Sequence, residues 1–261
     1  MVGLRDVLWG TLEAIAVIGA GHLLAHGLGA ASSRVVGPVP LVVLGAINPH
    51  AALAAAREVG LRGTRLLVAK LSFNSLPYLA SVWCTSLALL GREVGVPYAV
   101  TLTLVDATET LIGALALRGI RVEPPRHRSW RSALRAALRS TARATVFLVP
   151  GVVAGTLLAR WASGWLAHGT VLGAFLVNPV AGCSVLSGLL GGGGVSPAEA
   201  YRAAVTGAAV AYVGRFLRSC GPVTVAVAGP AEGAWLSAAT TLADVTLVLA
   251  YGALVGRLAF G

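Results

Sequence analysis

The chain is a succession of apolar runs, each long enough to cross a bilayer as a helix and each closed by Gly, Pro or Arg. They cover about residues 7–30, 35–56, 66–91, 95–118, 144–167, 169–193, 200–229 and 234–258. A helical span needs about 20 residues, and in hydrocarbon a helix satisfies its own backbone donors and acceptors. Composition agrees with this pattern. Of the 261 residues, 56% belong to the AVILMFWYC set, and with the 33 Gly added roughly 69% of the chain is apolar or Gly, against about 45–50% in soluble domains. Only 11% are charged, too few to cover a water-exposed surface of ordinary size. A soluble enzyme, a disordered tail and a fibrous repeat are excluded. The expected fold class is all-α, a polytopic transmembrane helix bundle of about eight spans.

Arg5 ahead of the first run resembles the start of a signal peptide, but Glu13 interrupts the run and its length exceeds a signal core. The 20 Lys+Arg against 10 Asp+Glu give a formal charge of +10. These basic residues sit in short stretches between apolar runs, where they contact the anionic leaflet and set orientation. Nucleic acid is therefore not an expected partner; the lipid bilayer is. With the N-terminus inside and eight crossings, fourteen arginines fall on the inner side, eight of them between Arg118 and Arg143, and only Arg34, Arg92 and Arg160 on the outer side. That is the positive-inside pattern of a multi-pass cell-membrane protein with both termini cytoplasmic. Cys84, Cys183 and Cys220 lie inside apolar runs without CxxC spacing and read as packing residues.

An internal repeat organises the chain. Ala20-Gly21-His22-Leu23-Leu24-Ala25 returns as Ala154-Gly155-Thr156-Leu157-Leu158-Ala159. Val43-Leu44-Gly45-Ala46 with Asn48-Pro49 returns as Val171-Leu172-Gly173-Ala174 with Asn178-Pro179. Thr103-Leu104-Val105-Asp106-Ala107-Thr108 returns as Thr241-Leu242-Ala243-Asp244-Val245-Thr246. Three anchors in one order predict two homologous halves, 1–118 and 144–261, parallel or inverted. Between them, 119–143 is the water-facing stretch. There Pro124-Pro125 stops any helix, Ser129 can cap a new one, and Arg131, Arg135, Arg139 and Arg143 recur every four residues. This reads as a basic amphipathic helix on the cytoplasmic face, or as a solvated linker.

An ionisable group at the bilayer centre costs about 2.5–3.5 kcal/mol, so each needs a partner or a function. The candidates are Glu13, His22, His26, Lys70, Asp106, Glu109, Arg215, Arg218 and Asp244. Asp106 and Asp244 hold equivalent places in the two halves and together suit a cation, a proton or a hydroxyl-bearing solute; alternatively each neutralises a buried Arg. The third segment of each half carries a polar break, Lys70 with Asn74-Ser75-Leu76-Pro77 in one and Arg215, Arg218 with Ser219-Cys220-Gly221-Pro222 in the other. Pro frees backbone carbonyls there, and a broken helix at mid-depth lines a cavity or is simply a kink re-satisfied by its neighbours. Asn48 and Asn178, each before Pro, offer amides to a solute or cap the half-helix that follows, and capping is the preferred role. His22 and His26 share one helix face at i, i+4, but with no Cys or carboxylate evident beside them no metal is expected, and no cofactor. Gly191–Gly194 lacks the Lys of a phosphate-binding loop.

Asn178-Pro179, Tyr201-Arg202, Gly214-Arg215-Phe216-Leu217-Arg218 leading to Gly221-Pro222, and Gly229-Pro230 with Gly233 together resemble the Gate, or nucleoside-recognition, domain of prokaryotic membrane proteins. The resemblance covers about 170–233, and more faintly 43–95. It implies a paired gate architecture and small-solute transport. The chain lacks the GTP-binding domain of the related ferrous-iron transporters.

The sequence thus predicts a transporter-like protein that moves a small polar solute or ion, nucleoside-related by that resemblance, at the interface of two repeats. Asn48, Asn74, Ser75, Asp106, Asn178, Arg215, Arg218, Ser219 and Asp244 line the site, the arginines holding an anionic group and the aspartates a coupling cation. The alternative is a non-transporting scaffold or assembly component. Catalysis is not expected, since neither a Ser–His pair nor an HExxH motif occurs. Homo-oligomerisation is a further partnership open to such a chain.

Overall fold

The computed structural model describes residues 4–31, 39–120, 129–166 and 171–261. All regular structure among them is helical, and no strand occurs. In chain order the helices are α1 Leu4–Ala31, α2 Val39–Ile47, α3 Pro49–Glu58, α4 Gly63–Leu71, α5 Leu76–Leu117, α6 Trp130–Leu166, α7 Val171–Val177, α8 Pro179–Gly191, α9 Pro197–Arg215, a π-helical turn Phe216–Cys220, α10 Gly221–Ala228 and α11 Pro230–Phe260. Arg34 and Pro124-Pro125 lie outside the described residues. Two helices, Leu76–Leu117 and Pro230–Phe260, are long and apolar enough to cross a membrane, with mean hydropathy of 1.5 and 1.6 in their most apolar windows.

Interruptions fall where local chemistry demands them. Asn48 and Asn178 are extended, as a residue before Pro must be, and each turns its side chain back onto the helix it starts. Asn48 Oδ1 accepts from the amides of His50 (3.0 Å) and Ala51 (3.1 Å); Asn178 Oδ1 accepts from Val180 at 2.8 Å. Pro49 and Pro179 occupy the first helical position, where no donor is needed. Within Leu76–Leu117 the chain reverses at Gly91, whose φ of 67° a glycine adopts without strain. Trp83 Nε1 donates to Thr103 Oγ1 at 3.0 Å, a contact that a straight helix would stretch to about 30 Å. Its second arm, 92–117, extends about 39 Å.

The amphipathic segment read as ending at 143 and the span read as starting at 144 are a single helix, Trp130–Leu166. No Gly or Pro intervenes between 129 and 149 to break it. Ala133, Ala137, Ala144 and Leu148 form its buried stripe, while Arg131, Arg135, Arg139 and Arg143 stay exposed.

The residues group into two compact units, each drawing on both halves of the sequence. Unit 1 comprises Met1–Ser75, Glu109–Gly155 and Arg218–Thr240; unit 2 comprises Leu76–Thr108, Thr156–Leu217 and Thr241–Gly261. In unit 1, α1 lies tight on α3 because Gly21 faces the Ala51 carbonyl, where a Cβ would collide. Ala25, Ala52, Ala55 and Ala56 continue the close seam, and Leu53, Leu66, Phe73 and Leu236 fill in around it. At one end Glu232 accepts from the Gly63 amide at 2.6 Å and pairs with Arg57 at 2.8 Å.

In unit 2, Phe175 on α7 is fully buried in a slot walled by Gly182 of α8 and Gly207 of α9. The Tyr201 hydroxyl of α9 donates to the Gly252 carbonyl of α11 at 3.0 Å and lies 2.7 Å from Thr101 Oγ1 of α5, tying three helices at one point.

Gly207→Ala therefore destabilises the fold by about 1–3 kcal/mol through overpacking against Phe175. Gly188→Ala, which meets nothing within 4 Å, gains about 0.5–1 kcal/mol from the lost flexibility of glycine. Melting temperatures of the detergent-purified variants, moving in opposite directions, check both.

Candidate functional site

Unit 2 gathers charge where apolar helices would avoid it. Asp106 from the second arm of α5 and Asp244 from α11 are both half-buried. Asp106 feels the positive charge of Arg215, at the end of α9, and the negative charge of Asp244. Arg215 also places its guanidinium carbon 5.2 Å from the centre of the Tyr78 ring, within the range of a cation–π contact. The two helices that carry the aspartates are held in register by Thr108 and Tyr251, whose hydroxyls are 2.6 Å apart.

Beside the trio lies a cavity of about 110 Å³, lined in part by Tyr78, Thr85, Tyr98, Asn178 and Cys183. Asn178 thus stands at its wall while its carbonyl oxygen is committed to capping α8.

The remaining sequence-derived site residues lie in unit 1. Asn48 is a helix cap. Asn74 sits in the non-helical link before α5, donating to the Leu71 carbonyl (3.3 Å) and Thr110 Oγ1 (3.2 Å), with Glu109 Oε2 at 3.5 Å. Ser75 is its half-buried neighbour, and Arg218 and Ser219 are half-buried on the π-helical turn. The half-buried ammonium of Lys70 donates to Thr240 Oγ1, a neutral helix hydroxyl, at 2.8 Å.

The sequence reading missed a carboxylate beside the histidine pair. Glu58, at the end of α3, sets one oxygen 2.9 Å from His22 Nδ1 and the other 3.1 Å from His26 Nε2. Both approaches are oblique to the ring N–H directions, so they are ionic contacts more than linear hydrogen bonds. Because the carboxylate meets each imidazole with a different oxygen, the three do not converge on one point. Among the described residues no group of three His, Cys, Asp or Glu side chains is placed to hold a metal ion. The available signal was the run Ala51–Ala56: small residues mark a close helix seam, and the polar residue ending such a run meets whatever the partner helix presents.

Arg215→Ala removes the positive charge that acts on Asp106 and lowers the melting temperature; adding Asp244→Asn restores some of the loss, because Asp106 then no longer feels a second carboxylate. At Glu58, burial raises the carboxyl, but His22 and Ser140 as partners and the charges of both histidines outweigh it and hold it at about 2. As the folded state binds this proton less readily than the unfolded chain, the stabilisation is full above about pH 4.5 and is lost as pH falls toward 2. Melting curves of wild type should fall through that window more steeply than those of Glu58→Gln.

Compared with protein-family models, curated proteins and solved structures, the chain matches none.

Proposed function

We propose that the chain is a multi-pass integral membrane protein that moves a small polar solute or ion through a site built jointly by its two sequence halves. The observation that carries this reading is the trio itself: Asp106 from the first half and Asp244 and Arg215 from the second lie within electrostatic reach of one another. Charges placed so deep among apolar helices are costly and mark pathways for ions and polar solutes.

Other features support the membrane setting. Large apolar side chains stand out on the two long helices, among them Leu111 and Leu115 on α5 and Leu242 and Leu258 on α11, the last 80% exposed. In water such a surface is an aggregation liability; in lipid it is the solvent-facing side. The order of elements supports eight spans in two repeats. A long helix, a helix broken at Asn-Pro, a helix broken by a polar link and a final long helix occur in each half. Discontinuous helices of this kind recur in transporters, where they form binding sites. The resemblance to Gate domains favours the same class of function. The breaks and the trio also favour transport over a scaffold, which has no need of charged groups within its spans.

Uptake by the protein reconstituted in vesicles tests the proposal. Asp106→Asn and Asp244→Asn should each cut uptake of the transported solute by about ten- to a hundredfold, the effect of removing about 1–3 kcal/mol of charge interaction. If a panel of nucleosides, divalent metals and organic anions is taken up no better than by empty vesicles, the scaffold alternative replaces transport.

A further inference from the structure

The cavity in unit 2 carries chemistry of its own. No side chain on its wall is charged, so a charged ligand would lose its hydration without a counter-ion, at a cost that burial makes prohibitive. Its polar groups are nevertheless competent donors and acceptors. Tyr98 is 3% exposed, lines the cavity, and its hydroxyl makes no hydrogen bond to the described residues. Thr85 likewise keeps its hydroxyl unbonded to them. Asn178 has committed its carbonyl oxygen to the α8 cap, which leaves its amide hydrogens as donors at the cavity wall. A solute that enters therefore meets hydroxyl and amide groups able to bond it.

Size and shape narrow the occupant. A volume of about 110 Å³ is several times what one water needs. The rings of Tyr78 and Tyr98 form flat walls suited to the C–H face of a small molecule, and Val82, Pro179 and Cys183 complete an apolar lining. Such a wall with a few converging hydroxyls and an amide is the pattern of a small-molecule pocket. We propose that this cavity binds a small uncharged solute bearing hydroxyl or amide groups, with Tyr98, Thr85 and Asn178 as its direct polar contacts. The inference rests on the transport reading for its purpose: Tyr78 borders the cavity and also takes the Arg215 guanidinium, which puts the solute one side chain away from the charged trio.

Cys183 reports on occupancy. In the full chain carrying Cys84→Ala and Cys220→Ala it is the one remaining thiol, and methyl methanethiosulfonate, small and neutral, reaches it through the cavity. Glycerol tests the hydroxyl chemistry and urea the amide chemistry, with acetate and guanidinium as charged controls. At least one neutral probe should slow Cys183 modification by about fivefold or more, the charged probes should not, and Tyr98→Phe and Thr85→Val should each weaken the protection. Thermal melting of both variants verifies that they fold; if one does not, the other serves. The proposal is overturned if Cys183 does not react at all, if no neutral probe protects it, or if acetate or guanidinium protects it equally. Protection in a protein that transports nothing upholds the site and removes the transport reading. Uptake that is indifferent to Tyr98→Phe and Thr85→Val, with Cys183 unprotected, removes the site and leaves transport standing.

Discussion

Every interruption of a helix in an apolar environment leaves donors and acceptors that must be satisfied nearby, and the arrangement of this chain depends on how it meets that demand. At Asn48 and Asn178 a single residue suffices. Its backbone amide closes the preceding helix, its side-chain carbonyl oxygen opens the next, and the following Pro needs no donor. A break of one residue keeps both half-helices short and close, and at Asn178 it also leaves a polar amide on a cavity wall. Elsewhere the solutions differ. A glycine at positive φ reverses α5, and a widened π-helical turn precedes Gly221-Pro222.

Close approach is the second constraint. Gly21 against Ala51 and the glycine slot around Phe175 leave no room for a Cβ. Small residues let helix backbones approach where no large side chains drive them together. The polar groups then become accessible to one another: the seam of α1 and α3 delivers two histidines to Glu58, and the Tyr201 hydroxyl joins three helices beside Gly252. Packing of small residues is thus a precondition for the electrostatics, since side chains of this length meet only when the backbones do.

The charged trio and the neutral cavity divide the chemistry of unit 2. Asp106 interacts electrostatically with Arg215 and Asp244, whereas the hydroxyl-lined space beside them is free of formal charge. Tyr78 belongs to both, with its ring under Arg215 and on the cavity wall.

Helical class, the Asn-Pro breaks, the boundary between the runs ending at 91 and starting at 95, and the polar interruptions at Lys70 with Asn74–Pro77 and at Arg215 and Arg218 with Ser219–Pro222 were legible in the sequence, because each follows from local rules: apolar run length and the geometry of proline. Asp106 and Asp244 were legible as a pair because equivalent motifs surround them. Glu58 beside His22 and His26, Glu232 on Arg57, and the neutral cavity with its unbonded Tyr98 hydroxyl were not, since they join residues far apart in the chain whose meeting depends on how closely helices approach. Nor was the fate of residues 130–166, where an expected surface helix and an expected span are one element. The amino-acid order by itself determined where most helices begin, end and break, because those are contests among neighbours. Which polar side chains face one another was decided only by the tertiary structure, because a hydrogen bond or ion pair between distant segments exists at one separation and vanishes at a slightly larger one.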